Sequence, residues 1–166
     1  MGHPVSLAVL DYGLFKVHSN GRIIGICGYL IGTSADEYVL IDSGFPRKYA
    51  QDFVAASTED RLYEFGEVLV CGPDNLPEAQ LARCGVDPDA INLVIQTHTH
   101  IDHIGGIAGF TQAPMLISAA ERALSRPLYW GGVQPLEWPD RRYVILDEDC
   151  DIGPGFSVML APGHAP

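Results

Sequence analysis

Long apolar runs are missing from this sequence: no stretch approaches the roughly 20 consecutive apolar residues that a membrane-spanning helix needs. Positive charge is scarce too, with 10 Lys and Arg against 21 Asp and Glu, a formal net charge of −11. A chain this acidic lacks the positive field that nucleic acid or an anionic membrane surface selects for, so neither is expected as a partner. The opening MGHPVSLAVLDYG has no basic segment, and Asp11 and Gly13 break its apolar run, so no secretory signal is read there and a cytoplasmic location is expected. The cysteines Cys27, Cys71, Cys84 and Cys150 form no CxxC pair, which argues against a zinc ribbon or a redox couple and for buried free thiols. Internal repeats, linkers and low-complexity tracts are also lacking. With 166 residues, 47% of them hydrophobic, residues 1–166 are expected to form a single domain with a core of its own.

Short apolar runs bounded by Gly or Asp are abundant. Val5–Leu10, Ile23–Ile31 and Tyr38–Ile41 read as strands, with 32–36 as a hairpin connection between the last two. Arg47–Ala56 has helical composition and Glu67–Cys71 reads as a short strand. Asp74 or Asn75 is expected to cap a helix with Pro77 in its first turn and Gly85 at its exit. Ile91–Ile95 reads as a buried strand, followed by a short helix near Asp102, a strand at Met115–Ile117 and a helix at Ala119–Ser125. Tyr143–Leu146 and Phe156–Leu160 read as two closing strands joined by a solvated acidic turn at 147–151. Strands outnumber helices, which indicates a mixed α and β layered domain.

Three of the six histidines fall within six residues, His98-Thr99-His100-Ile101-Asp102-His103. Imidazole and carboxylate are the donors that hold zinc and similar divalent ions. A buried strand delivers the chain to this cluster and Gly105-Gly106 follows it, so the donors leave a rigid element and can converge. If the chain stays extended through Thr97–Ile101, His98 and His100 point to one side, because side chains alternate. Asp102 then begins the next helix, where it can cap backbone N–H groups or bind metal, and His103, turned by the helix, need not face the same ion. Two neighbouring divalent metal ions, zinc foremost, fit this order: one on His98 and His100, one on Asp102 and His103. A closed structural zinc site would be expected to use thiolates, and no cysteine is near. His164, in Ala161-Pro162-Gly163-His164 after another strand, is the candidate third imidazole for the first ion. His3 and His18 have no evident partners. Asp42 reads either as a buried carboxylate orienting a ligand imidazole or as a plain turn residue.

His98–Gly106 resembles the HxHxDHxGG signature of the metallo-β-lactamase superfamily. Val39-Leu40-Ile41-Asp42-Ser43-Gly44 resembles the strand that precedes the motif in that family, Asp87–Thr97 the approach to it, and Ala161–His164 its later Thr-Pro-Gly-His. Within the superfamily the sequence is most similar to the N-acyl homoserine lactonases, through Asn75–Gly85, Phe110–Pro114 and the aromatic segment at Tyr129-Trp130. Glyoxalase-II-type thioesterases share the ligand pattern.

The resemblance implies an α+β fold, the metallo-β-lactamase-like αββα sandwich of two mixed β-sheets with outer helices, of which this chain would be the N-terminal part. It also implies a metal-dependent hydrolase that opens the lactone ring of N-acyl homoserine lactones with a metal-bound hydroxide. His98, His100, Asp102, His103 and His164 would be the metal ligands, and Asp102 would also pass a proton to the leaving alkoxide. The bridging Asp and last His of the family pattern have no counterpart before Pro166, so the second of the two zinc sites is expected to be incomplete in a truncated chain. The alternatives are a thioesterase or other ester hydrolase, or an inactive metal-binding fragment. The expected partner is a small acyl lactone or ester; a bare face of the core sheet would favour a homodimer. Leu128, Tyr129, Trp130 and Trp138 are candidates for lining an acyl-chain groove, or else are core and turn filler.

Overall fold

The computed structural model describes residues 1–166. Its first half is a meander of long strands. β1 (Pro4–Val17) pairs antiparallel with β2 (Ile23–Thr33), which pairs antiparallel with β3 (Tyr38–Ile41). β1 runs past the expected Leu10 because it absorbs Asp11 and Gly13 in a bulge, where the register to β2 shifts. Gly13 sits at φ +123, and a Cβ there would lie 2.1 Å from the Val70 carbonyl oxygen, so only glycine fits. β4 (Gly66–Val70) adds to the free edge of β1.

Beyond β3 the chain switches to parallel pairing. β5 (Ile91–Ile95), β6 (Met115–Ser118) and β7 (Tyr143–Leu146) extend the sheet, giving seven strands in the order β4-β1-β2-β3-β5-β6-β7. Four helices are interspersed: α1 (Arg47–Glu59), α2 (Pro77–Arg83), α3 (Ile101–Ile104) and α4 (Ala119–Arg122). Helix α1 is two pieces joined at Asp52, whose φ of −154° is extended. Its carboxylate accepts from the Val54 and Ala55 amides and so caps the second piece.

Three local expectations are corrected. Neither Asp74 nor Asn75 caps α2: both lie in a 3₁₀ turn, Pro73–Asn75, and Asn75 Oδ1 accepts from the Gly72 amide instead. Pro77 opens α2 without any side-chain cap, which a proline tolerates because its missing N–H would be unpaired there anyway. The acidic run is only in part a turn, since Cys150–Gly153 forms β8, which pairs antiparallel with β9 (Phe156–Val158) in a separate two-stranded sheet. Finally, of the four free cysteines only Cys71 is buried and Cys27 half-buried, while Cys84 and Cys150 are exposed.

The alternation along the strands sorts apolar residues onto two faces. Leu10, Tyr12, Leu30, Leu40, Val94, Met115 and Ile117 face the core that also holds Tyr49 of α1, Leu81 of α2 and Ile101 and Ile104 of α3. On the opposite face Val39, Leu93, Ile95, Leu116 and Leu146 form a second cluster, and Ile152, Phe156 and Val158 of the β8–β9 hairpin pack on it. Helices thus cover one side, and a small second sheet begins to cover the other. Val5, Leu7 and Val9 of β1 are exposed. No helix is long and apolar enough to cross a membrane.

Candidate metal centre

The site forms where the parallel strands end. β3 runs into Asp42-Ser43-Gly44, β5 into Gln96–His100, and β6 into Ser118 and α4, so three carboxyl-terminal strand ends deliver polar residues to one place, the usual location of ligands in open α/β sheets. Extended backbone at His100 (φ −67°, ψ 156°) carries both imidazoles to the same side, and the His98 and His100 rings lie 4.8 Å apart, edge to face. The helix that follows must start close to the preceding loop. A Cβ on Gly105 would come within 2.0 Å of the Phe45 main chain, and the Gly105 amide donates to the Gly44 carbonyl at 2.7 Å. The first glycine of the Gly-Gly pair is therefore demanded by packing of α3 on the loop at 42–46.

His164 arrives from the other end of the chain and closes the cluster. Its ring lies 4.9 Å from His98 and 4.8 Å from His100, and His164 Nε2 is 3.1 Å from His100 Nδ1. One nitrogen from each of His98, His100 and His164 lies within 4.8 Å of the others. Nitrogens held at about 2.0–2.1 Å around a tetrahedral ion would be roughly 3.3 Å apart; His100 Nδ1 and His164 Nε2, 3.1 Å apart, match that spacing, and the 4.8 Å limit on the whole set is wider. Two further observations favour such an ion. His98 Nε2 is buried with no hydrogen-bond partner, an unsatisfied polar atom that calls for an explanation. Burial, and then the neighbouring charges of His103, His100 and His164, push the His98 pKa down to about 3, so its lone pair is free at neutral pH. Burial first, then His164, also lowers His100. The donor set fits a divalent cation.

Asp102 and His103 sit beside this cluster. The His103 ring is 4.1 Å from that of His98, and its Nε2 lies 3.5 Å from Asp102 Oδ2. Asp102 makes no capping bond to α3, leaving its carboxylate directed to that neighbour. On its other side His103 Nδ1 donates to Asp42 Oδ2 at 2.8 Å. Burial pulls the His103 pKa down, but the hydrogen bond to Asp42 and the charges of Asp102 and Asp42 outweigh it and leave the imidazole above its usual value. Asp42 is buried, at φ +60, and each of its oxygens is used twice. Oδ1 accepts from the Thr97 amide at 2.8 Å and Gln96 Nε2 at 3.1 Å, and Oδ2 from Thr97 Oγ1 at 2.7 Å besides His103. Of the two readings of Asp42, the imidazole-orienting carboxylate is the one seen.

Several supporting residues carry no legible signal in the sequence. Glu121 is fully buried and accepts from Thr99 Oγ1 at 2.5 Å and the Thr99 amide at 3.3 Å. The pattern Ser118-x-x-Glu121 suggests a capping box. Ser118 does accept from the Glu121 amide, but the Glu121 side chain turns to Thr99 instead of back to Ser118. Tyr129 lies inside the core, not along a groove; its φ of +57 is a conformation that costs a non-glycine residue about 1–2 kcal/mol. Trp138 donates to the Leu124 carbonyl and lies against Arg122, and Trp130 packs on Phe65. None of Leu128, Tyr129, Trp130 and Trp138 lines the cavity of about 530 Å³ that touches His98 and His164; its walls are Leu116, Ala119, Leu146, Val158 and their neighbours. His3 and His18 are exposed and remote from the cluster in the sheet.

The chain belongs to the metallo-beta-lactamase superfamily, whose family model matches residues 28–166. It is similar to the N-acyl homoserine lactonase of Bacillus thuringiensis, with 34% identity over 176 residues that take in 98% of this chain and 65% of the relative. An N-acyl homoserine lactonase of Bacillus cereus is 30% identical over 146 residues, 83% of this chain and 54% of that protein. The chain therefore spans just under two thirds of the length of the first of these relatives, and about half of the second. Among solved structures, an N-acyl homoserine lactone hydrolase holding N-hexanoyl-L-homoserine at its catalytic metal centre superposes over 100% of this chain and 68% of its own, with a TM-score of 0.76 and 23% identity. At that identity the likeness establishes the fold.

Proposed function

We propose that this chain carries the ligand-bearing part of a metal-dependent hydrolase that opens the lactone ring of N-acyl homoserine lactones. The convergence of one nitrogen each from His98, His100 and His164 within 4.8 Å carries this reading. The similarity to curated lactonases supports an N-acyl homoserine lactone as the substrate class. His98, His100 and His164 would hold one divalent ion, zinc by preference for imidazole donors, and Asp102 with His103 would take part in holding a second. Bound there, such ions supply Lewis acidity, which acidifies water and polarises an ester carbonyl.

The chain's own residues do the rest. Asp42 holds the proton of His103 on Nδ1, which leaves Nε2 with a free lone pair facing Asp102. Gln96 Nε2 donates to Asp42 Oδ1 and to the carbonyls of His98 and His103, and so fixes the turn between the two halves of the motif. Asp102 would take up the proton given up by the attacking water and pass it to the ring oxygen as that oxygen leaves the acyl carbon. One water is consumed, and because the ring oxygen stays tethered the single product is the open N-acyl homoserine.

The test is the 166-residue chain incubated with zinc and N-hexanoyl homoserine lactone, with ring opening followed by proton release and mass spectrometry. Ring opening that His98→Ala and His164→Ala both abolish is the expected result. Hydrolysis of a glutathione thioester in preference to the lactone, or lactone opening that survives both substitutions, would overturn the assignment.

A further inference from the structure

The loop that presents His100 is gripped on both sides by one residue from a distant part of the chain. The Tyr129 amide donates to the Thr99 carbonyl at 2.9 Å, and the Tyr129 carbonyl accepts from the Ile101 amide at 3.1 Å, so the main chain of Tyr129 brackets His100 in a short parallel bridge. Tyr129 achieves this only in the left-handed conformation, at φ +57, which a tyrosine rarely adopts. Such a residue persists where its surroundings over-determine it. Here they do so through the phenol: Tyr129 Oη donates to Asp60 Oδ2 at 2.7 Å, with both residues 1% exposed.

Asp60 is itself held from three directions. Tyr49 Oη donates to the same oxygen at 2.9 Å, Lys48 Nζ donates to Oδ1 at 2.7 Å, and the Asp60 amide donates to the Ala56 carbonyl at the end of α1. A carboxylate with that many donors is a fixed anchor rather than a mobile acceptor. The chain of contacts runs from the end of α1, through Asp60 and the Tyr129 phenol, to the two peptide groups on either side of His100. A second anchor meets the clasp from the other side, where the Leu128 amide donates to Thr99 Oγ1 and that hydroxyl donates to the buried Glu121 of α4; Asp60 is the carboxylate that holds the Tyr129 side chain itself.

We propose that Asp60 is a positioning residue for the candidate metal loop, acting through the Tyr129 phenol to hold the main-chain clasp around His100. The zinc readout of this proposal rests on the metal-centre reading; the clasp itself can be read without metal. Tyr129→Phe removes only the hydroxyl. It should speed hydrogen exchange at the Ile101 and Tyr129 amides on the order of tenfold relative to amides of β1 and β2. It should also raise the zinc dissociation constant roughly tenfold in competition with a chelating dye, the loss typical for supports of metal ligands. Asp60→Ala should reproduce both effects, and the double variant should be no worse than either single one, because the two residues act in series. Asp60→Asn keeps an oxygen for the phenol and should restore near-native exchange and affinity. Tyr49→Phe removes a donor to Asp60 that has no link to the loop, so it should lower the unfolding midpoint yet leave both readouts unchanged.

Native exchange and native zinc affinity in Tyr129→Phe, or additive losses in the double variant, would overturn the proposal. Should Asp60→Ala fail to fold, Tyr129→Phe compared with Asp60→Asn decides by the same criteria. A wild-type chain that binds no zinc would sink the metal-centre reading, while the exchange rates would still decide for or against the clasp.

Discussion

Replacing Asp42 by Asn is predicted to invert the tautomer of His103 at little cost to the fold. In the wild-type chain Asp42 accepts four hydrogen bonds and has nothing to donate, so His103 must carry its proton on Nδ1. In the variant, the amide oxygen can keep the bonds from the Thr97 amide and Gln96. Its nitrogen then faces Thr97 Oγ1, which can accept, and His103 Nδ1, which can accept only if the proton moves to Nε2. The backbone is no obstacle, because Asn tolerates φ +60 at least as well as Asp. One charge-assisted bond is weakened, so the loss of stability should be about 1 kcal/mol. Asp42→Ala is a different perturbation. It strands the partly buried Thr97 amide and the His103 proton at about 1.5 kcal/mol each and adds about 1 kcal/mol for alanine in the left-handed region, roughly 4 kcal/mol in all.

Long-range ¹H–¹⁵N spectra of the imidazoles report the tautomer directly, and urea unfolding reports the stability. With the Asp42 charge gone, burial prevails and the His103 pKa should fall from its raised value. Zinc affinity at the Asp102–His103 pair should weaken roughly 10–100-fold in Asp42→Asn, since a protonated Nε2 offers no lone pair. An Asn variant that keeps the proton on Nδ1, with unchanged zinc affinity, would refute the reasoning.

Two further outcomes follow from packing and burial. Gly105→Ala should lower stability by about 3 kcal/mol, because the added methyl group meets backbone at Phe45 that cannot move aside. Gly25→Ala, in open space in β2, should change stability by no more than about 0.5 kcal/mol or improve it, and equal midpoints for the two variants in urea would refute the packing argument. Glu121 gives a pH signature: burial raises its pKa, while hydrogen bonds from the Thr99 hydroxyl and amide act the other way. A carboxyl whose pKa is higher in the folded state binds more protons there, so its contribution to stability falls as pH rises through the unfolded and then the folded pKa. The stability of Glu121→Gln relative to wild type should therefore become more favourable as pH rises above the ordinary carboxyl value of 4.5; a flat or opposite difference in urea titrations would show that Glu121 is not so perturbed.

The strands that carry the site were legible because their apolar runs are short and sharply bounded: Tyr38–Ile41 and Ile91–Ile95 have the limits read from the sequence. β8 was not, because Cys150-Asp151-Ile152-Gly153 is too polar to look like a strand. It pairs because Ile152 meets the apolar face of β3, β5 and β6, a partner that no local pattern reveals. Asp74 and Asn75 misled as caps for a related reason, since short polar side chains suit several turns equally well and the competing 3₁₀ turn won.

For the candidate site, sequence alone determined the identities of the candidate donors and their grouping. His98, His100, Asp102 and His103 are consecutive enough that strand and helix periodicity dictate their directions. Tertiary structure decided what those donors rest on. His164, 61 residues beyond His103, is brought in by the β8–β9 hairpin, and Asp42, Asp60, Glu121 and Tyr129 reach the motif across the sheet. A buried carboxylate or phenol leaves no periodic trace in its own neighbourhood. Its role is fixed by which distant donor it meets once the parallel strands β3, β5 and β6 bring their ends together.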